Sequence, residues 1–359
     1  MRSIAVIPGD NIGPEVIAEG LKVLRLVDEQ LQIGLEFDVY PWGTDYYLEH
    51  GRVMPADGLQ TLARYDAIYV GALGDPARIP DWAIPVSLIQ QIRKGFQQAV
   101  NLRPIRLWPG ADSPLANPGE IDLVVVRENT EGEYAGCGGR LHQGQPQEVA
   151  TQISVFTRLA TERVMHFAFD LARRRGRKKR VTSATKSNAL KFAMAMWDEV
   201  FSEVAANYPD VQSSKWHVDA LSMLLVTKPA EFDVVVASNL FGDILSEIGA
   251  AVQGGIGLAP GANLNIDGRY PSMFEPIHGS APDIAGKGVA NPIATILAGA
   301  MMLDHLQIVG AARLIETAVG MVLEEARCRT PDMGGSATTS QMGNAICDAL
   351  RECLRRHRH

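Results

Sequence analysis

The sequence predicts an α/β fold, arranged as two domains or as one large α/β unit. Three observations carry that prediction. Short apolar runs that read as buried strands, among them Ile4–Ile7, Ala67–Ala72 and Phe232–Ala237, recur along the chain, and Val181–Thr185 reads as a further buried strand. Stretches of helical period alternate with them, separated by loops rich in Gly and Pro. The 359 residues, 46% hydrophobic and 21% charged, form an ordinary globular composition of sufficient length.

Taken in order, Ile4–Ile7 is the first strand and Pro8–Gly13 the turn after it. Pro14 and Glu15 then open a helix that runs to about Glu29. A strand entering a Gly-rich turn before a helix can seat a ligand on backbone N–H groups. The spacing is not G-x-G-x-x-G, so this is not a Rossmann fingerprint. Leu35–Tyr40 alternates like a strand, and Ala67–Ala72 is a buried one. A breaker-rich loop, Leu73–Pro80, precedes a helix at Val86–Gln98 that carries Arg93. Pro104 holds Arg103 in extended geometry within Asn101–Pro104. Leu123–Arg127 is a strand ending in Arg127. Ala135–Gln147 reads as a loop of small and polar residues, and Val149–Thr157 as an exposed strand or arm.

An amphipathic helix at Thr161–Arg175 precedes the strand Val181–Thr185, with Lys186 at its end. Lys215–Asp219 repeats the theme, a strand with a carboxylate at its end. A Gly-rich segment, Gly254–Gly261, leads to a polar loop at Met273–Pro292. Helices at 294–306, about 311–327 and 339–354 close the chain.

Net charge is −7, which argues against nucleic acid or an acidic membrane as a partner. The apolar runs are too short to span a bilayer, and the chain enters a strand pattern without a signal peptide. Cys137, Cys328, Cys347 and Cys353 show no ligand spacing and suggest free thiols in a reducing cytoplasm. The basic run Arg173–Arg180 reads as the charged end of a helix and the lead-in to a strand.

The chemistry-bearing residues gather at strand ends. In Ser238–Glu247, Asp243 and Glu247 are four apart and share a helix face just beyond a strand, an arrangement that suits a hard cation. The plain alternative is a solvated face with Asp243 in the first helical turn, favoured by the dipole. Arg93, Arg103 and Arg127 suit a substrate with more than one carboxylate if they converge, and surface ion pairs if they do not. Lys186 is either a surface charge or a desolvated base, and Asp219 either a helix N-cap or a ligand. Asp283 can accept from a ribose diol or serve a local turn.

Pro8–Glu15, Asn101–Pro104, Arg127–Tyr134, Asn239–Ser246 and His278–Asp283 together resemble the β-decarboxylating dehydrogenases, the isopropylmalate/isocitrate dehydrogenase-like family. The resemblance runs from about residue 3 to about 350, in the family's order. Thr182–Asn188, Tyr208–Pro209, Ser154–Arg158, Val235–Asn239 and Thr330–Met333 resemble most its tartrate and D-malate (decarboxylating) branch.

The resemblance implies a two-domain fold with a large mixed sheet flanked by helices. Residues 1–99 with 255–359 would bind the cofactor. Residues 100–254 would carry substrate, metal and dimerisation functions, with an arm at about 135–157. Tyr134 and Lys186 would be the acid–base pair. Arg93, Arg103, Arg127 and Ser87 would bind substrate, and Asp219, Asp243 and Glu247 would hold Mg²⁺ or Mn²⁺. Asn188, Glu275, His278, Gly279, Ser280, Ala281, Asp283 and Asn291 would bind NAD, an Asp at 283 being the NAD form. A monovalent cation such as K⁺ belongs to the same expectation. Lys186 and Asp219 would serve the active site of the second subunit in a homodimer. The implied reaction is oxidation of a (2R)-2-hydroxy diacid, usually with loss of CO₂. D-malate or tartrate is the first expectation; 3-isopropylmalate or a diacid of a specialised pathway is the alternative, and a non-catalytic regulatory homologue the remote one.

Three positions depart from the family pattern. Glu247 stands where Asp is usual, lengthening the arm by a methylene. Asn11 stands where Gly is usual, and it is the next most tolerant choice if φ is positive. Pro80–Arg93, where the family reads the variable part of the substrate, lacks the branch's Trp-Gly pair and offers Pro85, Val86, Ser87 and Ile89.

Overall fold

Ile4, Val6 and their neighbours in β1 (Arg2–Gly9) are fully buried, as a continuous apolar run requires when both faces of a strand are covered. The computed structural model describes residues 1–80 and 87–357. The chain divides into two compact units. One comprises Met1–Gln98, Arg106–Ala116 and Ala250–His359, and the other Ala99–Ile105 and Asn117–Gly249.

In the first unit, β1 lies between β2 (Leu35–Val39) and β3 (Ala67–Ala72), parallel to both. β12 (Ser272–Pro276) adds in parallel to β3, and β11 (Pro260–Leu264) pairs antiparallel with β12. On one face Ala5, Ile7, Ile68 and Val70 pack with Leu88 and Ile92 of α4 (Leu88–Gly95) and with Trp42. On the other, α1 (Gly13–Leu31) and α9 (Ile293–His305) pack on the strands, with α10 (Val309–Glu325) and α11 (Thr339–His357) beyond them. Short helices α2 (Thr44–His50) and α3 (Gly58–Leu62) fill the β2–β3 connection.

In the second unit the strand order is β4 (Val100–Arg106), β5 (Asp122–Glu128), β10 (Val234–Ala237), β8 (Arg180–Thr185), β9 (Gln212–His217). From β5 to β9 the pairing is parallel, so all four carboxyl ends lie along one edge. That edge is where an open α/β sheet presents its ligand-facing loops. Helices α5 (Arg158–Arg175), α6 (Ala193–Ala205), α7 (Val218–Thr227) and α8 (Asn239–Val252) complete the unit.

Several sequence readings change here. Ala135–Gln147 is not simply a loop, because β6 (Gly132–Leu141) pairs antiparallel with β7 (Val149–Val155) as an exposed ribbon. Its small, polar residues form a strand because pairing with β7 satisfies the backbone. The strand at Lys215 ends at His217, which places Asp219 inside the first turn of α7 and not at the N-cap. The helix at Val86–Gln98 is shorter, Leu88–Gly95. Asn11 has φ +52°, the left-handed conformation for which Asn is the best replacement of Gly.

The basic run is absorbed locally. Arg173 binds Asp210, Arg175 binds Asp122 and Asp233, and Arg177 binds Glu120 and Asp122. The four cysteines are free thiols, only Cys137 being exposed. Among the described residues no helix is long and apolar enough to cross a membrane.

Candidate active site

The site of the second unit is organised around α8, which starts directly from the end of β10. Asp243 lies in the second turn of this helix, past the reach of a first-turn dipole contact. Three side chains converge on it instead. Arg103 Nη1 donates to Asp243 Oδ1 at 3.1 Å, Arg127 Nη1 donates to the same oxygen, and Tyr134 Oη donates to Oδ2 at 3.1 Å.

Both arginines are oriented by further bonds. Arg103 Nε donates to Asn101 Oδ1 at 2.6 Å and Nη1 to Ser246 Oγ at 2.6 Å, while Arg127 Nε donates to Asn239 Oδ1 at 2.9 Å. Their side chains are 7% and 3% exposed, against 33% for Asp243, so the guanidinium groups are built into the unit and the carboxylate faces outward. Gly242 makes this possible: a Cβ there would stand 2.6 Å from Arg127 Cβ. A glycine inside a helix is unfavourable by about 1 kcal/mol relative to alanine, and here it gives the arginine stem its space.

Asn101, Asn239 and Ser246 escaped sequence reasoning as site residues. For Ser246 the available signal was its place three residues after Asp243 on one helix face.

Burial pushes the Tyr134 hydroxyl above the usual phenol range, and Asp243 reinforces the shift, so Tyr134 keeps its proton at neutral pH. Glu247 lies one turn after Asp243, on the surface of the helix. Desolvation raises its carboxyl above the usual range, Arg103 and Arg127 oppose this, and Asp243 adds to it.

Farther along the same edge, Lys186 follows β8 and Asp219 follows β9. Lys186 Nζ donates to Asp219 Oδ1 at 2.7 Å. That bond holds the Asp219 carboxyl below the usual range. Among the described residues of one chain, no three His, Cys, Asp or Glu side chains are gathered closely enough to hold a metal ion. Asn188 is exposed beyond Lys186.

The remaining candidates belong to the first unit. Arg93 Nη2 donates to Glu275 Oε1 at 2.8 Å, an oxygen that also accepts Asn263 Nδ2 at 2.8 Å. Glu275 is thus engaged with Arg93 inside the unit. Ser87 is the N-cap of α4, its Oγ accepting Gln90 N at 3.3 Å, and Ile89 packs against the strands. Pro85 and Val86 lie outside the described residues.

The Gly-rich turn is tied to three other segments. Asp10 accepts Thr44 N at 2.8 Å and Gly74 N at 2.7 Å. Asn11 Nδ2 reaches Gly74 O at 3.1 Å, and Ile12 N donates to Ser280 O at 3.1 Å. In the His278–Asn291 loop, Gly279 and Asp283 are exposed, Ser280 and Asn291 are buried, and Ala281 has φ +42°. Desolvation lowers the His278 pKa, and its Nδ1 lies 3.0 Å from Gly279 O, which places the proton of the neutral ring on Nδ1. Asn291 Oδ1 accepts Ile293 N at 3.0 Å at the start of α9, and its Nδ2 donates to Asp332 at 3.0 Å.

A family model described as isocitrate/isopropylmalate dehydrogenase matches residues 3–346. The chain is 51% identical over 355 residues to the D-malate dehydrogenase [decarboxylating] of Escherichia coli (strain K12), covering 97% of this chain and 98% of that protein. It is 48% identical over 350 residues to the probable tartrate dehydrogenase/decarboxylase of Bacillus subtilis (strain 168), covering 97% and 98%. The crystal structure of isocitrate dehydrogenase from Methylococcus capsulatus matches with a TM-score of 0.89 at 38% identity, covering 98% of this chain and all (100%) of that one.

Proposed function

Because the chain belongs to the isocitrate/isopropylmalate dehydrogenase family, and is an α/β oxidoreductase with that family's large mixed sheet flanked by helices, we propose that it oxidises a (2R)-2-hydroxy diacid, D-malate or tartrate first, with NAD and loss of CO₂. The observation that carries this reading is the convergence of Arg103, Arg127 and Tyr134 on Asp243. Two built-in guanidinium groups beside a protonated phenol suit a dicarboxylate that must later receive a proton. The relatives named for tartrate and D-malate support the choice of diacid.

The residues present fit a hard divalent cation. Asp243 and Glu247 offer oxygen donors from one helix face, and Asp219 offers a third from the first turn of α7. Mg²⁺ or Mn²⁺ there would polarise the C2 oxygen and favour negative charge on it. NAD, held by the Gly-rich turn, Asn188, Glu275 and the His278–Asn291 loop, would accept the hydride, with K⁺ as a monovalent activator. The exposed Asp283 carboxylate suits a ribose diol.

This chain's own residues then divide the work. Arg103 and Arg127 bind the substrate carboxylates and fix C2. Lys186 takes the proton of the C2 hydroxyl as hydride departs. After CO₂ is lost, Tyr134 returns a proton to carbon, a role for which its retained hydroxyl proton qualifies it.

One chain pairs Lys186 with Asp219 and leaves Asp243 and Glu247 apart from them, which is what sites completed by a second copy require. The second unit also exposes Trp216, Met223, Val226 and Ile244, and its β6–β7 arm exposes Leu141, Val149 and Ile153. Such apolar surface suits a homodimer interface. In this reading residues 1–99 with 255–359 serve the cofactor, residues 100–254 serve substrate, metal and dimerisation, and the enzyme works in the cytoplasm.

The test is a panel of D-malate, tartrate and 3-isopropylmalate with NAD⁺ and Mn²⁺, following NADH absorbance and released CO₂ together. NADH with D-malate or tartrate is expected. Strong preference for 3-isopropylmalate would reassign the substrate, and silence with every diacid would favour a non-catalytic homologue.

Glu247→Gln separately tests the metal position. Loss of the charge is expected to raise the half-saturating Mn²⁺ concentration about tenfold, equivalent to 1.4 kcal/mol. An unchanged Mn²⁺ titration would remove Glu247 from the inner shell.

A further inference from the structure

The turn after β8 carries Lys186 and its neighbour Ser187. Behind it stands Asp198 on α6, a buried carboxylate that the reaction as described does not use. Its Oδ2 accepts Ser187 Oγ at 2.8 Å and Lys215 Nζ at 3.0 Å. Ser187 adjoins Lys186, and Lys215 lies on β9 just before the turn into Asp219. One carboxylate oxygen therefore ties the turn bearing the lysine to the strand that delivers its partner.

Docking of α6 does not depend on this carboxylate. Trp197 next to it is fully buried and donates Nε1 to Ser183 Oγ on β8 at 2.9 Å, while Met194, Val200 and Phe201 of the same helix are buried as well. Asp198 Oδ1 is buried without a hydrogen-bond partner, so Ser187 and Lys215 on Oδ2 offset only part of the cost of burying the group. A carboxylate kept at such a cost, where apolar packing already holds the helix, points to a function in orientation.

The backbone of the turn is already closed by Ala189 N and Leu190 N on Lys186 O at 3.0 and 2.9 Å. Thr185 Oγ1 accepts Ser187 N at 3.3 Å on one side of the lysine, and Ser187 Oγ on Asp198 adds a hold that reaches out of the turn to α6. A lysine has a long flexible stem, and a base must be held within a fraction of an ångström to act.

We propose that Asp198 is a positioning residue for the reaction, setting the approach of the Lys186 ammonium to Asp219 through Ser187 on one side and Lys215 on the other. The inference rests on the reading of Lys186 as the base.

The test measures kcat and KM in the full-length enzyme for Ser187→Ala, Ser187→Thr, Asp198→Asn and the Ser187→Ala/Asp198→Asn double variant, with Tm for each. Ser187→Ala and Asp198→Asn are each expected to lower kcat about tenfold or more with KM for NAD unchanged. Ser187→Thr, which restores the hydroxyl, should recover kcat, and the double variant should be no worse than Asp198→Asn alone because the two act through one bond. Ser187→Ala with kcat within about twofold of wild type, on the scale of that expected loss, would overturn the proposal even if Asp198→Asn fails to fold. So would losses that only track a falling Tm, with kcat per folded molecule unchanged. Lys186→Ala separates the two levels: its retention of turnover sinks the base assignment itself, whereas an inactive Lys186→Ala beside a normal Ser187→Ala removes only the role of Asp198.

Discussion

Lys186→Ala is expected to lower kcat by about 10²–10⁴-fold, the range lost with a positioned general base, while NAD binding persists. Lys186 stands just after a strand that is buried from Val181 to Thr185, and it is fixed on Asp219 at 2.7 Å. The lysine is thus presented by rigid structure and not by a mobile surface loop. Lys186→Arg sharpens the test, because arginine keeps the positive charge and cannot release a proton at working pH. If the lysine acts as a base, both variants are inactive. If it acts only as a cation, the arginine variant retains much of the rate. NADH formation measures the first outcome, and fluorescence titration of bound NADH measures retention of the cofactor. Near-normal turnover by Lys186→Ala would end the assignment.

Asp243→Asn is expected to lower kcat/KM about 10³-fold, since a bound cation is worth several kcal/mol of charge stabilisation and each tenfold costs about 1.4 kcal/mol. It should also destabilise the fold. Arg103 and Arg127 are buried and would face a neutral amide in place of the Asp243 carboxylate. Breaking a fully buried ion pair costs about 3–5 kcal/mol, and because the Asp243 side chain is 33% exposed, about 1–3 kcal/mol is expected here. Denaturant unfolding measures that loss, and Mn²⁺ binding by electron paramagnetic resonance measures the metal directly. A variant that binds Mn²⁺ as before and turns over within tenfold would remove Asp243 from the metal position.

The elements most legible in the sequence were those whose pattern is decided locally. Ile4–Ile7 and Ala67–Ala72 are short, continuous and apolar because both faces of these strands are covered. At Asn11 the sequence offered a residue that tolerates positive φ, and the structure shows that the position uses it. Family membership was legible in ordered motifs that span nearly the whole chain.

Other elements were not. β4 contains Pro104 and Arg103, β11 begins at Pro260, and β6 is made of small residues. Each is a strand because a partner strand completes its hydrogen bonds, and no periodicity within the segment announces that.

The sequence by itself determined the layer-forming elements, the family and the residue types at the strand ends, because hydrophobic period and chain-local sterics are written in consecutive residues. Only the tertiary structure decided which charges meet. Asp243 was placed by its sequence spacing on a helix, but its partners Arg103, Arg127 and Tyr134 come from 140, 116 and 109 residues away. Arg93 meets Glu275 across 182 residues, while Ser187 meets Asp198 within 11. Such pairings depend on strand order and on which ends share an edge. Sheet topology sets these relations through packing between distant segments, and no single stretch of sequence contains them.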